Sequence, residues 1–324
     1  MHIPQNINVK RHLIAVGLIL AAGIVFARGM ALTHTETHIF CHEEKLAEAP
    51  LPPEEEAEHV PTRAEQVTRA LVEAYPRRVL KAEYRNGDWA VLLRDRWFYF
   101  AGGRLLPEEL LYRADSYRPI AFYNYPRELP PWTPPTPEQI SRFTDITAAR
   151  AAQLPRAPHF FDALYRAHTR EEAYSRVKTM RFLGNQVTVH HAIMEDLTLV
   201  EYRIRAAART DQSVRTWIAN IDRVYGWNWR NIGATQSRSF HAYGVAIDIM
   251  PRALGGRAVY WRWAGPEWWN IPHERRHHPP LAVIEAFETQ GFVWGGKWTL
   301  FDTIHFEFRP EVMILNGIEL STLR

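Results

Sequence analysis

Ser239-Phe240-His241-Ala242-Tyr243-Gly244-Val245-Ala246-Ile247-Asp248 is the stretch that decides the fold, taken together with Asp302-Thr303-Ile304-His305-Phe306-Glu307 further along the chain. Two histidines and a carboxylate from two short segments are what an open zinc site requires, with a fourth position left for an activated water. Spacing limits how they can meet. In one helix, His241 and Asp248 would sit about 10 Å apart along the axis, too far for donors of one ion. On one unbroken strand their separation of seven would point them to opposite faces. The chain must therefore turn between them, and Gly244 suits the turn. After it, Val245, Ile247 and Ile249 alternate with Ala246 and Asp248, a strand that Pro251 closes. In the second segment Ile304, Phe306 and Phe308 take one face while Thr303, His305, Glu307 and Arg309 take the other, so His305 faces as Asp248 does. Asp302 has the wrong parity for that face unless the strand begins after it. A loop position just outside a strand suits a base that reaches a metal-bound water without ligating.

The pattern Ser-x-His-x-x-Gly-x-Ala-x-Asp followed by Asp-x-x-His-Phe-Glu resembles the zinc D-alanyl-D-alanine carboxypeptidases and L-alanyl-D-glutamate peptidases of bacterial cell walls, which share the hedgehog-type zinc peptidase fold. Gly291-Phe292-Val293-Trp294-Gly295-Gly296-Lys297-Trp298 resembles the same family, and the likeness spans roughly residues 187 to 310. The resemblance implies one zinc per chain held by His241, Asp248 and His305, with Asp302 as general base. It also implies peptidoglycan stem peptides as substrate, cut by a carboxypeptidase or an endopeptidase. Ser237-Arg238 departs from the small residue or Gly of many relatives. Arg238 or Ser239, beside a ligand, is a candidate for holding the substrate's carbonyl or carboxylate. Glu307 is a candidate for orienting a ligand or contacting a substrate nitrogen. A rival of another class is a binding protein, since the signalling domain of hedgehog proteins resembles the same fold and zinc site. An acidic residue at 302 favours an enzyme. A third reading makes the chain a cell-wall anchor through its N-terminal part.

The expected fold class is α+β: a small antiparallel sheet with helices packed on one side carries the zinc site, preceded by a small α+β module. Residues 1–27 read as an export signal, because Lys10 and Arg11 precede the uncharged apolar run Leu13 to Phe26. That run is short of the roughly 20 residues that span a bilayer. The protein is therefore expected in the periplasm or cell envelope, with a membrane partner only if the signal is retained. Residues 28–60 are acidic and proline-containing, the composition of a disordered linker. His34, His38 and His42 are assigned to that linker and not to a metal, and the single Cys41 cannot form an intrachain disulfide.

Residues 61–125 read as a helix followed by a three-stranded meander. Residues 126–137 hold six prolines and form a stiff connector. Residues 138–186 are expected to be helical, and residues 187–324 form the zinc peptidase domain. Within it, helices carry Ile193, Leu197, Val200 and Ile204, then Val214 and Trp217, then Leu281, Ile284 and Phe287 inward. Trp261, Trp263, Trp268 and Trp269 suit a core or a groove equally, and Arg275-Arg276-His277-His278 reads as an exposed basic loop. The net charge is +3, and an apolar fraction of 46% is ample for a packed core. Residues 43–58 carry −6 and residues 1–42 carry +2, leaving +7 on the remainder. A basic body suits an anionic polymer such as peptidoglycan; no nucleic-acid motif accompanies it.

Overall fold

The computed structural model describes residues 60–321. The export signal, most of the linker, Cys41 and the three spaced histidines lie outside the described residues.

Thr62 accepts from the Glu65 N–H and opens α1 (Arg63–Ala74), whose Val67 and Leu71 are fully buried. Then come β1 (Val79–Arg85), β2 (Asp88–Leu93), β3 (Arg96–Tyr99) and a short β4 (Leu106–Pro107), paired in sequence order as an antiparallel sheet. The meander thus gains one strand over the three expected. Of its aromatics, Phe98 and Tyr99 are buried, while Trp97 is half-buried under the Arg85 guanidinium at 4.2 Å.

Beyond the proline-rich stretch, Thr136 caps α2 (Pro137–Ala148), followed by α3 (His159–Tyr165) and α4 (Arg170–Arg176). The helical expectation for 138–186 fails at its end. Val177 to Phe182 is a strand, β5, paired along its length with β6 (Asn185–His190) around the tight turn at Leu183-Gly184. Alternation through Val177, Thr179 and Arg181 is masked in the sequence by charged residues on both faces.

The helices α5 (Met194–Ala207) and α6 (Gln212–Ala219) lead into β7 (Ile221–Tyr225) and β8 (Ala246–Pro251). After a long connection come α7 (Leu281–Glu288), β9 (Phe292–Trp294), β10 (His305–Phe308) and α8 (Pro310–Leu315). The order in this second sheet is β7-β8-β10-β9, all antiparallel. α7 packs on one face, where Phe287 stacks on Phe306 with ring centres 3.9 Å apart. Leu281, expected inward, is 64% exposed, because it begins the helix and precedes the turn that docks.

Two expectations about organisation need correcting. Val67, Leu71 and Phe98 belong to the same buried cluster as Phe287 and Phe306, so the N-terminal elements and the second sheet share one core across the proline-rich stretch. The Arg275–His278 stretch is not an exposed loop. Arg276 and His277 are each 7% exposed, with Arg276 donating to the Ile271 carbonyl and lying 4.2 Å over the Phe301 ring. Burial without a carboxylate partner pulls Arg276 down to about 10.

Candidate metal centre

Each metal-facing side chain is placed by a local feature of the chain. Ser239 accepts from the His241 N–H and opens a short 3-10 turn over Phe240–Tyr243. Gly244 ends that turn at φ +72°, a conformation costly for other residues, and a Cβ there would lie 2.8 Å from the His190 nitrogen. The chain then enters β8, and Asp248 stands directly opposite His305 of β10. Opposed residues of an antiparallel pair project to the same face, so the strand pairing alone brings two donors together. The 3-10 turn delivers the third.

The donor atoms converge closely. His241 Nε2 lies 3.2 Å from His305 Nδ1 and 3.2 Å from Asp248 Oδ1, and His305 Nδ1 lies 2.8 Å from Asp248 Oδ1. Donors about 2.0–2.1 Å from a tetrahedral zinc ion would be about 3.3 Å apart. The set fits that ion with a small expansion, and it is the one such cluster of three among the described residues.

The opposite ring nitrogens are also held. His241 Nδ1 is 2.7 Å from the Gly226 carbonyl, and His305 Nε2 is 3.1 Å from Glu307 Oε2. An N–H on each of those nitrogens leaves a lone pair on each inner nitrogen, the tautomers a metal needs. Burial opposes a charged His305, but hydrogen bonds to Asp248 and Glu307 outweigh it and push the imidazole up to about 10. Asp248, despite burial, is held well below the carboxylate range by the two histidines. His305 and Asp248 both draw a positive charge, as donors poised for a cation do.

Glu307 is held in turn. Arg309 Nη1 lies 3.5 Å from Glu307 Oε1, and its Nε bonds Glu311. Tyr75, at the end of α1, donates to Glu311 Oε2 at 2.8 Å, and Arg309 Nη2 donates to the Ala121 carbonyl at 3.0 Å. A buried chain of charged groups thus runs from the N-terminal elements to His305.

Asp302 lies outside β10, as expected, with its N–H on the Gly295 carbonyl at 3.0 Å. A Cβ on Gly295 would lie 2.5 Å from the Asp302 carbonyl oxygen, so only glycine admits this approach. The Oδ1 atom of Asp302 is buried without a hydrogen-bond partner. Burial, with help from Asp248 and against the two histidines, pushes its carboxyl up to about 6. A carboxylate left unpaired at this cost has capacity to bind a proton.

These residues line a cleft of about 670 Å³. Residues 233–308 match the D-alanyl-D-alanine carboxypeptidase family. The resemblance drawn from the sequence is borne out over this segment. The chain is also 31% identical over 81 residues to the peptidoglycan L-alanyl-D-glutamate endopeptidase CwlK of Bacillus subtilis (strain 168). That alignment covers 24% of this chain and 43% of the relative, so the chain spans less than half the length of the curated protein it matches. Residues 67–122 match a family described as a domain of unknown function (DUF8518). No solved structure matches the chain.

The three residues expected to bind substrate fare differently. Ser239 lines the cleft, with its hydroxyl occupied in capping. Glu307 lines it too, and its carboxylate is committed to His305 and Arg309, which favours ligand orientation over substrate contact. Arg238 does not line this cleft. Buried Asp162 of α3 and the Ala167 carbonyl capture its guanidinium, which lies 4.5 Å over the Trp229 ring. The cleft instead receives Arg156, which the sequence reading missed and which lies outside the carboxypeptidase-like segment. Arg156 donates to the Arg238 carbonyl and makes no ion pair among the described residues; burial pulls it down to about 10. No sequence signal marks it, because nothing local distinguishes it from Arg150 or Arg166. Six cationic residues line the cleft, of which Lys297 and Arg309 are ion-paired with Glu288 and Glu311, while Arg150, Arg156, Arg230 and Arg262 make no ion pair among the described residues.

Proposed function

We propose that this protein is a zinc peptidase that hydrolyses a peptide bond in the stem peptide of bacterial peptidoglycan. The observation that carries the reading is the convergence of His241 Nε2, Asp248 Oδ1 and His305 Nδ1 beside the unpartnered Asp302 carboxylate in a cation-lined cleft. The likeness of residues 233–308 to cell-wall peptidases supports it.

Zinc bound to these donors would polarise a substrate carbonyl and make a water acidic enough to be deprotonated near neutral pH. Asp302 takes that proton at its free Oδ1 and hands it to the leaving amine nitrogen. Glu307 keeps the His305 ring turned with Nδ1 inward. Arg156, which makes no ion pair among the described residues, receives a carbonyl or carboxylate oxygen of the substrate, a role the sequence offered to Arg238 or Ser239. Because peptidoglycan lies outside the cytoplasmic membrane, the reading places the protein in the cell envelope, in line with the Leu13–Phe26 run as an export signal.

The test is incubation of the purified, zinc-loaded protein with defined muropeptides and identification of the products by mass. Release of a terminal residue would make it a carboxypeptidase, and an internal cut an endopeptidase. A zinc-loaded protein that yields no product from any stem peptide would point to a binding module of the hedgehog type.

A further inference from the structure

A second cavity, of about 230 Å³, adjoins the metal cleft and shares Lys297, Trp298 and Thr299 with it. Trp298 is the partition: its ring centre lies 5.3 Å from that of His305, and its Nε1 is fixed on Tyr123 Oη at 2.8 Å. The rest of the groove joins residues before the carboxypeptidase-like segment to others within it. Trp132 stands on the proline-rich stretch, Phe143 on α2, and Trp268 and Trp269 on the connection between the two metal-binding segments. Phe143 packs on both tryptophans, with ring centres 5.3 and 6.3 Å away, whereas the half-buried Trp132 meets no other ring among the described residues.

Two polar atoms in this lining lack partners. Trp268 is 3% exposed, and its Nε1 is buried without an acceptor; the Nδ1 of His273 is likewise buried and unpaired. A buried indole N–H almost always finds an acceptor, so an orphan in a cavity wall points to a ligand that brings one. No carboxylate lines the groove, Lys297 pairs with Glu288 at 2.6 Å, and the one cation without an ion pair, Arg276, is turned onto the Ile271 carbonyl and the Phe301 ring. Its volume falls below the about 300–1,000 Å³ of pockets that enclose drug-sized ligands. Flat aromatic faces, an unpaired ring nitrogen on each of Trp268 and His273, and the polar side chains of Thr133, Gln139 and Thr299 match a single sugar ring, which has an apolar C–H face and a hydroxyl edge.

We propose that this groove binds one pyranose ring of the glycan strand, so that the attached stem peptide enters the metal cleft past Trp298. The inference rests on peptidoglycan as the substrate and adds the saccharide to it. The enzyme then acts on peptides still joined to sugar, in preference to free peptides.

The test uses the full chain and two readouts. In titration calorimetry with chitotriose, the wild type binds saturably, at around 1 mM, and Trp132→Ala weakens binding about tenfold. In the second, the wild type cleaves a disaccharide-peptide with kcat/KM about tenfold above that for the same peptide without sugar. In Trp132→Ala this ratio falls toward one, and Trp132→Tyr restores it. Melting curves confirm that the variants are folded. Equal rates on the two substrates, with no saturable heat from chitotriose, would remove the sugar site and leave the peptidase reading intact. Binding of an extended peptide in place of chitotriose, weakened by Trp132→Ala, would also overturn it, by giving the groove to a different ligand. A wild type that binds chitotriose but cleaves neither substrate would break the peptidase reading and leave the sugar site standing.

Discussion

The strand pair β8–β10 and the elements around α1 reach the same metal centre by opposite means. In the pair, the ligands are set by local rules: a glycine turn, a period of two and one cross-strand register. Around α1, no residue faces the metal, yet Tyr75 and the Ala121 carbonyl hold Glu311 and Arg309, which hold Glu307, which holds His305. The first region supplies the candidate donors, and the second holds one of them, His305, in place. A segment with no ligand of its own can therefore be part of a metal site.

Four substitutions test this division. The largest effect is expected from His305→Ala, which should abolish stoichiometric zinc binding and all activity, as read by metal analysis; full occupancy in that variant would remove His305 from the site. Next, Asp302→Asn should keep zinc while activity falls about 10²–10⁴-fold, the usual contribution of a positioned acid or base. The same variant carries a pH signature in the metal-free protein. The carboxyl moves from an ordinary value of 3.8 up to about 6 on folding, so the folded state binds its proton more tightly. The contribution of Asp302 to wild-type stability is therefore fully present below pH 3.8 and is lost as pH rises through about 6, a loss that Asp302→Asn should lack. Denaturant melts should show the variant more stable at pH 8 and equal to wild type near pH 3.5.

Glu311→Gln is the third. Breaking a buried ion pair from one side costs about 3–5 kcal/mol, measurable by urea unfolding, and the zinc affinity should weaken along with it. An unchanged zinc affinity would cut the proposed chain between Arg309 and His305 and make the α1 region a mere neighbour. The smallest effect is expected from Tyr75→Phe, which removes one hydrogen bond to a charged group, worth about 1.5–3 kcal/mol; a melt indistinguishable from wild type would show that Glu311 does not depend on α1.

This division also marks what was legible in the sequence. Helix α1, the meander, α5 and both metal strands could be read from caps, turns and periodicity, because each depends on neighbours within a few residues. The shared face of Asp248 and His305 and the loop position of Asp302 could be read for the same reason, whereas the grouping of Asp248 and His305 with His241 as ligands rests on the family resemblance. The place of Arg156 in the cleft, the capture of Arg238 by Asp162 across 76 residues, and the packing of Arg276 over Phe301 all depend on contacts between segments apart in the chain. The β5–β6 hairpin was hidden because charged side chains occupy both of its faces. The shared core across the proline-rich stretch was missed because prolines interrupt secondary structure without preventing the flanking segments from packing together.

The cross-strand register of Asp248 and His305 has a temporal consequence. These ligands are 57 residues apart in the chain, so a polypeptide growing from its N-terminus has an incomplete donor set until residue 305 has emerged and zipped against β8. A slip of β10 by one residue would turn His305 to the opposite face and part it from Asp248. The candidate donor set therefore exists only once the second sheet has closed.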